Sequence, residues 1–362
     1  MYPHQAERLT LAREAAGATA LVATTAENVR YVTGFVPPAS GDARFVAVVA
    51  AQKTALVAPE GEAPRDAGVD VVVTYGAGGY AAMRAALAKA LASVAVAHGT
   101  IGVDEGDLSP AAWRVLTDPL AATVVPAAAR FALARSVKSP YELDRLVRAL
   151  AITEEALNAV LQTLAAGVTE REAATAFARE VERRGGTAPR VEVTMGERTA
   201  LPAARASDRL LREGELVRFD AGCTLDGYHG VVTRTAVLGE PNARLAHVAD
   251  ALYAGQEAAL RAIAPRVAAA RVFAAAMVAV RMSGLPAYQR HHIGHGIGLD
   301  REEAPTLAPG RNPDVEAGMV LRVQTPYYEP GWGGVSGDTT VLVTASDARV
   351  LNRSHRGLIL LD

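Results

Sequence analysis

The stretch FDAGCTLDGYHGVVTRT, Phe219 to Thr235, constrains this chain more than any other, because it can close only as a β-hairpin. Val/Phe-rich and Val/Thr-rich arms flank Leu-Asp-Gly, a turn signal of the Asp-Gly type. With the turn centred on Leu225–Asp226, Asp220 on the first arm faces Val231 on the second. Directly opposed side chains lie about 4.5–5.5 Å apart at Cβ, close enough for two carboxylates to share one cation. Here the position opposite the carboxylate is apolar.

The segments around this hairpin give its setting. Over residues 1–130, helix-like stretches (QAERLTLAREAAGA, AENVRYVTGF, AAMRAALAKALASVAVAH) alternate with strand-like ones (ATALVATT, RFVAVVAAQKTALVAP, VDVVVTYG, TIGVDEG, ATVVPA). That alternation predicts an α/β domain with a mixed sheet. Residues 131–362 form a second unit, which opens with Ser139-Pro140 and Glu142 at a helix start. A capping box, Thr169 to Glu172, starts the next helix, and Gly185-Gly186 ends it. Strands, then helices over Ala243–Ala264 and Ala268–Gly284, then a strand-rich tail from Gly318 complete an α+β domain with an internal twofold character.

Bulk properties narrow the function. A net charge of −2 gives no basic field for nucleic acid. The lone cysteine, Cys223, excludes an internal disulfide and reads as a small residue of the hairpin. No apolar span of ~18 residues lacks charge, so no membrane crossing is expected. The N-terminal residues show no basic region followed by an apolar run, which makes cytoplasmic residence the expectation.

Three polar clusters carry the chemistry. The hairpin holds Asp220, His229 and Arg234; AYQRHHIGHGIGLDREEAP (287–305) holds three histidines within five residues; GMVLRVQTPYYEPGWGGVSGDTTVLVT holds Gln324, Tyr327, Tyr328 and Asp338. Singly, each reads equally well as a turn or a solvated loop. In order, with AENVRYVTGF, SVKSPYELDRLVRALAITEEAL and GERTALPAARASDRLLREGELVRFDAG before them, they resemble the pita-bread metallopeptidases: aminopeptidase P, prolidase, methionine aminopeptidase and creatinase. The resemblance implies a pita-bread catalytic domain behind a smaller creatinase/prolidase-like α/β domain.

It also implies five metal ligands, of which the first Asp is Asp220 and the His is His295. The second hairpin Asp is replaced by Val231, the first Glu by Gln324 and the second Glu by Asp338. The histidine after Leu201-Pro202 is replaced by Ala203, and that of "L-D-x-H-E" by Glu302. Hard divalent ions need charged oxygen donors; valine offers none, and Gln324 only a neutral amide. No metal or other cofactor is therefore expected, though Asp220, His295 and Asp338 leave room for one weakly held divalent ion. Creatinase's metal-free solution does not match either, since its histidine falls on Ala203 and its hairpin glutamate on Thr233.

The expected catalytic set is His295, Asp220 and Asp338, two carboxylates whose pKa values separate beside a histidine. His291, His229, Gln324, Tyr327, Glu302 and Arg44 are expected to bind substrate, Arg44 by reaching a partner subunit's pocket as an arginine does in creatinase. Arg234 reads as structural. These residues predict hydrolysis of a C–N bond in a small polar molecule, and the resemblance implies a homodimer. A non-hydrolytic reaction (cyclisation, elimination or isomerisation) and a non-catalytic binding protein are the alternatives.

Overall fold

The computed structural model describes residues 3–38, 44–117, 122–310 and 313–361. The chain divides into two compact units, Met1–Arg135 and Ser136–Asp362.

The first unit runs α1 (Pro3–Ala15), β1 (Ala20–Ala23), α2 (Ala26–Thr33), β2 (Val46–Ala50), β3 (Thr54–Pro59), β4 (Val71–Tyr75), α3 (Gly79–Ser93), β5 (Thr100–Val103), α4 (Pro110–Thr117), β6 (Thr123–Pro126) and α5 (Ala128–Ser136). Its strands form one mixed sheet in the order β4-β3-β2-β1-β5-β6. β1 and β2 are apolar throughout and buried on both faces, save for the half-buried Ala50, as a central strand covered by helices should be. The Thr25 hydroxyl caps α2, and Asp104 accepts from Thr25 Oγ1 and Asn28 Nδ2, both at 2.7 Å.

The second unit contains α6 (Pro140–Leu161), α7 (Glu170–Arg183), β7 (Thr187–Met195), a short 3-10 turn (Gly196–Ala200), β8 (Leu216–Leu225), β9 (Tyr228–Leu238), α8 (Ala243–Ala262) and α9 (Ala269–Met282). It then adds β10 (Gly294–Gly296), β11 (Glu303–Thr306), β12 (Val320–Gln324), β13 (Tyr327–Glu329), β14 (Gly333–Val335), β15 (Asp338–Val343), β16 (Ala348–Val350) and β17 (Ile359–Leu361). Ser139 and Thr169 each close a full capping box, fixing where α6 and α7 begin. Two sheets result, β17-β9-β8-β7 and β11-β10-β12-β15-β16, besides the β13–β14 pair. α6 and α7 bury Leu157, Phe177 and Val181 against Val193, Phe219 and Val232 of the first sheet. α8 and α9 bury Leu252, Val272 and Val280 against Leu321, Val323 and Val341 of the second. Each sheet thus has its own helix pair, which is the twofold character expected from the element order.

The hairpin forms, with a different register from that expected. Leu225 pairs with Tyr228, so Asp220 faces Thr233 and Val231 faces Gly222. The two-residue loop is Asp226–Gly227, with φ of 46° and 69°. A tight hairpin turn of this kind needs positive φ at both central residues, which Asp-Gly adopts readily and Leu-Asp does not. Gly230 lets α6 cross directly over β9: a Cβ there would lie under 3.0 Å from the Ala149 and Leu150 backbone.

Candidate active site

Strand pleating sets the site. Asp220, Val231 and Thr233 share one face of the β8–β9 hairpin, because alternate residues point the same way and Asp220 opposes Thr233. In the other sheet Arg322 is registered with both His295 and Thr340, and Gln324 with Asp338. His295, Arg322, Gln324 and Asp338 therefore line a common face.

Arg322 joins the two faces. Its Nε donates to Asp338 Oδ2, while its Nη2 donates to Thr233 Oγ1 at 2.6 Å and to Asp220 Oδ1 at 3.4 Å. Asp338 is wholly buried, and its second oxygen accepts from Arg234 Nη1 at 3.0 Å. Arg234 in turn lies 3.6 Å from Glu154 Oε1 and donates to Ser354 Oγ. Glu154 also accepts from the Asn352 side chain and the Arg353 and Ser354 backbone N–H groups. At the more exposed end, Arg301 Nη2 stands 3.5 Å from Asp220 Oδ1. The result is a file of alternating charge: Arg301, Asp220, Arg322, Asp338, Arg234, Glu154. Burial opposes the charge on Arg322, but the carboxylates of Asp338 and Asp220 outweigh it and hold its pKa above the ordinary value.

His295 lies beside this file, 2% exposed. Its Nδ1 is 2.8 Å from the Gly296 carbonyl, which can only accept, so Nδ1 carries the proton. Nε2 is then a bare lone pair; among the described residues it has no hydrogen-bond partner, and it lies 4.0 Å from the Glu302 carboxylate. Burial, then the Arg322 charge, pushes its pKa below the usual histidine value. The imidazole is neutral at physiological pH.

The expected residues are distributed unevenly. Asp220, His295 and Asp338 gather about Arg322, and the two carboxylates do not face each other as a proton-sharing pair, because the guanidinium lies between them. Gln324 sits opposite Asp338, and Glu302 is exposed at the rim near His295. His229 is half-buried on β9, its N–H donating to the Gly298 carbonyl at 2.9 Å. His291 is exposed in a groove with Met277 and Arg281 of α9; its neighbour His292 turns toward His295, with ring centroids 6.2 Å apart. Tyr327 stacks edge-on against Trp332 and donates to Glu329, whereas Tyr328 is the tyrosine held between the guanidiniums of Arg218 and Arg290. Tyr327 thus belongs to a packing cluster, since consecutive strand residues point to opposite sides. Arg44 stacks over Tyr80 within the first unit, 5.5 Å from the ring centroid; residues 39–43 before it lie outside the described residues. Arg234 is structural, and Cys223 is buried, which pushes its thiol pKa up.

Arg322 and Arg301 were not singled out in the sequence, although one signal was available. An arginine inside the otherwise buried apolar run Val320–Val323 must have a charged partner. Among the described residues, no group of three or more His, Cys, Asp or Glu side chains is arranged to hold a metal ion.

Comparison with known proteins agrees with this architecture. Residues 6–137 match the Creatinase/Prolidase N-terminal domain, and residues 144–345 match Metallopeptidase family M24. The Xaa-Pro dipeptidase of Pyrococcus furiosus is 30% identical over 227 residues, 62% of this chain and 65% of that relative's length. The Xaa-Pro dipeptidase structure from Bacillus anthracis superposes with a TM-score of 0.88 at 25% identity, covering 99% of both chains. Dipeptidase PepE from Mycobacterium ulcerans gives a TM-score of 0.84 at 30% identity, covering 99% of this chain and 97% of the other. The mixed α/β domain, the twofold α+β domain and these matches together make the chain a member of Metallopeptidase family M24, a two-domain protein of the pita-bread fold.

Proposed function

We propose that the protein is a metal-independent hydrolase of a C–N bond in a small polar, peptide-like substrate. The relatives named as Xaa-Pro dipeptidases and dipeptidases support a peptidase-like reaction. The donor set does not fit the divalent pair of the family: Val231 has no donor atom, Gln324 no charge, and both Asp338 oxygens already accept from guanidinium groups.

The observation that carries the proposal is the bare Nε2 of neutral His295, buried and unpartnered among the described residues, beside Arg322. Such a nitrogen takes a proton from water as the water oxygen attacks the substrate carbonyl carbon. The carbonyl π pair moves to oxygen. On collapse, that pair re-forms the double bond, the C–N bond breaks, and the departing nitrogen takes the proton back from His295. Glu302 at the rim stabilises the transient imidazolium. Asp220, the more open carboxylate, orients the water or a substrate amine, and Asp338 positions Arg322. A homodimer with Arg44 at the partner's cleft belongs to the same proposal.

The test is an assay of protein purified without added metal against Xaa-Pro dipeptides and N-acyl and N-amidino amino acids, with and without EDTA. Turnover should survive the chelator and fall roughly 10²–10⁴-fold in His295→Ala. Activity that appears only on adding Mn²⁺ or Co²⁺ would sink the metal-independent reading.

A further inference from the structure

Carboxylates in a protein interior need countercharge, and their number follows the charge they must balance. The resemblance to the metal enzymes implies four carboxylates around two divalent ions, four negative charges against four positive. Two of those positions are Val231 and Gln324 here, which leaves Asp220 and Asp338. Two guanidiniums touch Asp220, those of Arg322 and Arg301, and Arg322 also holds Asp338. Arg234 also bonds Asp338, and Glu154 lies beside it. Three carboxylates, Asp220, Asp338 and Glu154, thus meet three guanidiniums, Arg301, Arg322 and Arg234, and the site is again neutral. The hairpin contributes a third acceptor, the Thr233 hydroxyl, at the place opposite Asp220.

We propose that Arg322 is the resident cation of this site, its guanidinium taking the place between Asp220 and Asp338 that divalent metal takes in other M24 members. This rests on the metal-independent reading above. A planar fork with several N–H donors suits the task better than a point charge, because it reaches carboxylates on two different sheets at once. Being covalently attached, it neither exchanges nor depends on metal supply. It also accounts for the loss of two carboxylates: with a single charge in place of each divalent ion, an aspartate at 231 and a glutamate at 324 would leave the interior with excess negative charge. Arg322 acts here as a positioning residue, setting the distance between the hairpin and the strand pair that carries His295.

The test is a thermal-unfolding series on the full chain: wild type, Arg322→Ala, Arg322→Lys, Asp338→Asn and the Arg322→Ala/Asp338→Asn double variant, each with EDTA and with Co²⁺. Arg322→Ala should lower Tm by roughly 6–20 °C, the size expected when one partner of a buried pair is removed from a domain of this size. Arg322→Lys should retain at least half of that loss as stability, and the double variant should lose clearly less than the sum of its two singles. A role in packing alone would give additive losses, and additivity within about 2 °C overturns the proposal. If Arg322→Ala yields no folded protein, a folded double variant supports the proposal and an unfolded one overturns it. The wild-type Tm should not move with EDTA or Co²⁺. A stoichiometric metal response of the wild type would defeat the metal-independent reading as well, whereas a silent wild type with additive losses defeats only the assignment of Arg322.

Discussion

Gly294 is the position where one methyl group should do most damage. It precedes His295 on β10, has φ +146°, and pairs with Val323 of β12. A Cβ built there falls well inside 3.0 Å of the Arg322 carbonyl oxygen and 3.1 Å from both Arg322 C and Val323 Cα. All three atoms are backbone, so no side chain can turn away; the strands must part until ordinary contact, at least 3.4 Å, is restored. Backbone strain at positive φ costs about 1–3 kcal/mol. Overpacking that displaces backbone costs about 1–3 kcal/mol more. The sum, about 2–6 kcal/mol, corresponds to roughly 4–24 °C in Tm for a domain of this size. Parting β10 from β12 also separates His295 from Arg322; with His295 as the base proposed above, a displacement of about 1 Å should cost ~10²-fold in rate. Gly310→Ala is the control, because it shares a positive φ of +91° yet has nothing within 4 Å among the described residues. It should lose only the conformational part, about 1–3 kcal/mol. Thermal unfolding followed by circular dichroism compares the two. Equal losses in both variants would refute the argument from strand spacing.

Other consequences can be measured on the same protein. Lys138 Nζ and Glu303 Oε2 form an ion pair at 2.6 Å with side chains 1% exposed, so Lys138→Met should cost about 3–5 kcal/mol in urea unfolding and Lys138→Met/Glu303→Gln much less. Thr233→Val keeps the shape but removes the nearer of the two acceptors of Arg322 Nη2, and should cost about 1–3 kcal/mol by the same assay. Burial of Glu170 works against its charge, but bonds from Ser207, Arg198 and Met195 prevail and hold its pKa below the usual 4.5. A depressed carboxylate pKa gives stability that is present above 4.5 and lost as pH falls through the folded value. The Tm difference between wild type and Glu170→Gln should therefore be constant above that pH and shrink below it; a difference that grows on acidification would contradict the assignment.

Much of this was legible in the sequence for definite physical reasons. Capping boxes at Ser139 and Thr169, with side chains bonded to their own third residues, announce helix starts locally. The alternation of helices and strands before Ser136 marks the first domain, and the ordered motifs around Asp220, His295 and Asp338 bring those residues together about one centre. What was missed depends on registry and reach. The turn lies one residue later than expected, at Asp226–Gly227 instead of Leu225–Asp226, because positive φ decides hairpin turns; that shifts the partner of Asp220 by two, from Val231 to Thr233. Arg322 looked like one residue of a strand, since nothing local shows that its side chain spans two sheets. The choice between His291 and His292, or Tyr327 and Tyr328, depends on which way a strand or loop faces, and sequence spacing alone leaves that open.

The two-residue turn at Asp226–Gly227 limits how this protein can diverge. Side chains alternate along both arms, so gaining or losing one residue in the loop would turn Val231 and Thr233 to the helix-covered face and bring their neighbours to the face that meets Arg322. The residues on that face can therefore vary by exchange but not by change of length. Homologues that share a guanidinium at the position of Arg322 should keep the span from Asp220 to Thr233 without insertion or deletion, however far the rest of their loops have drifted.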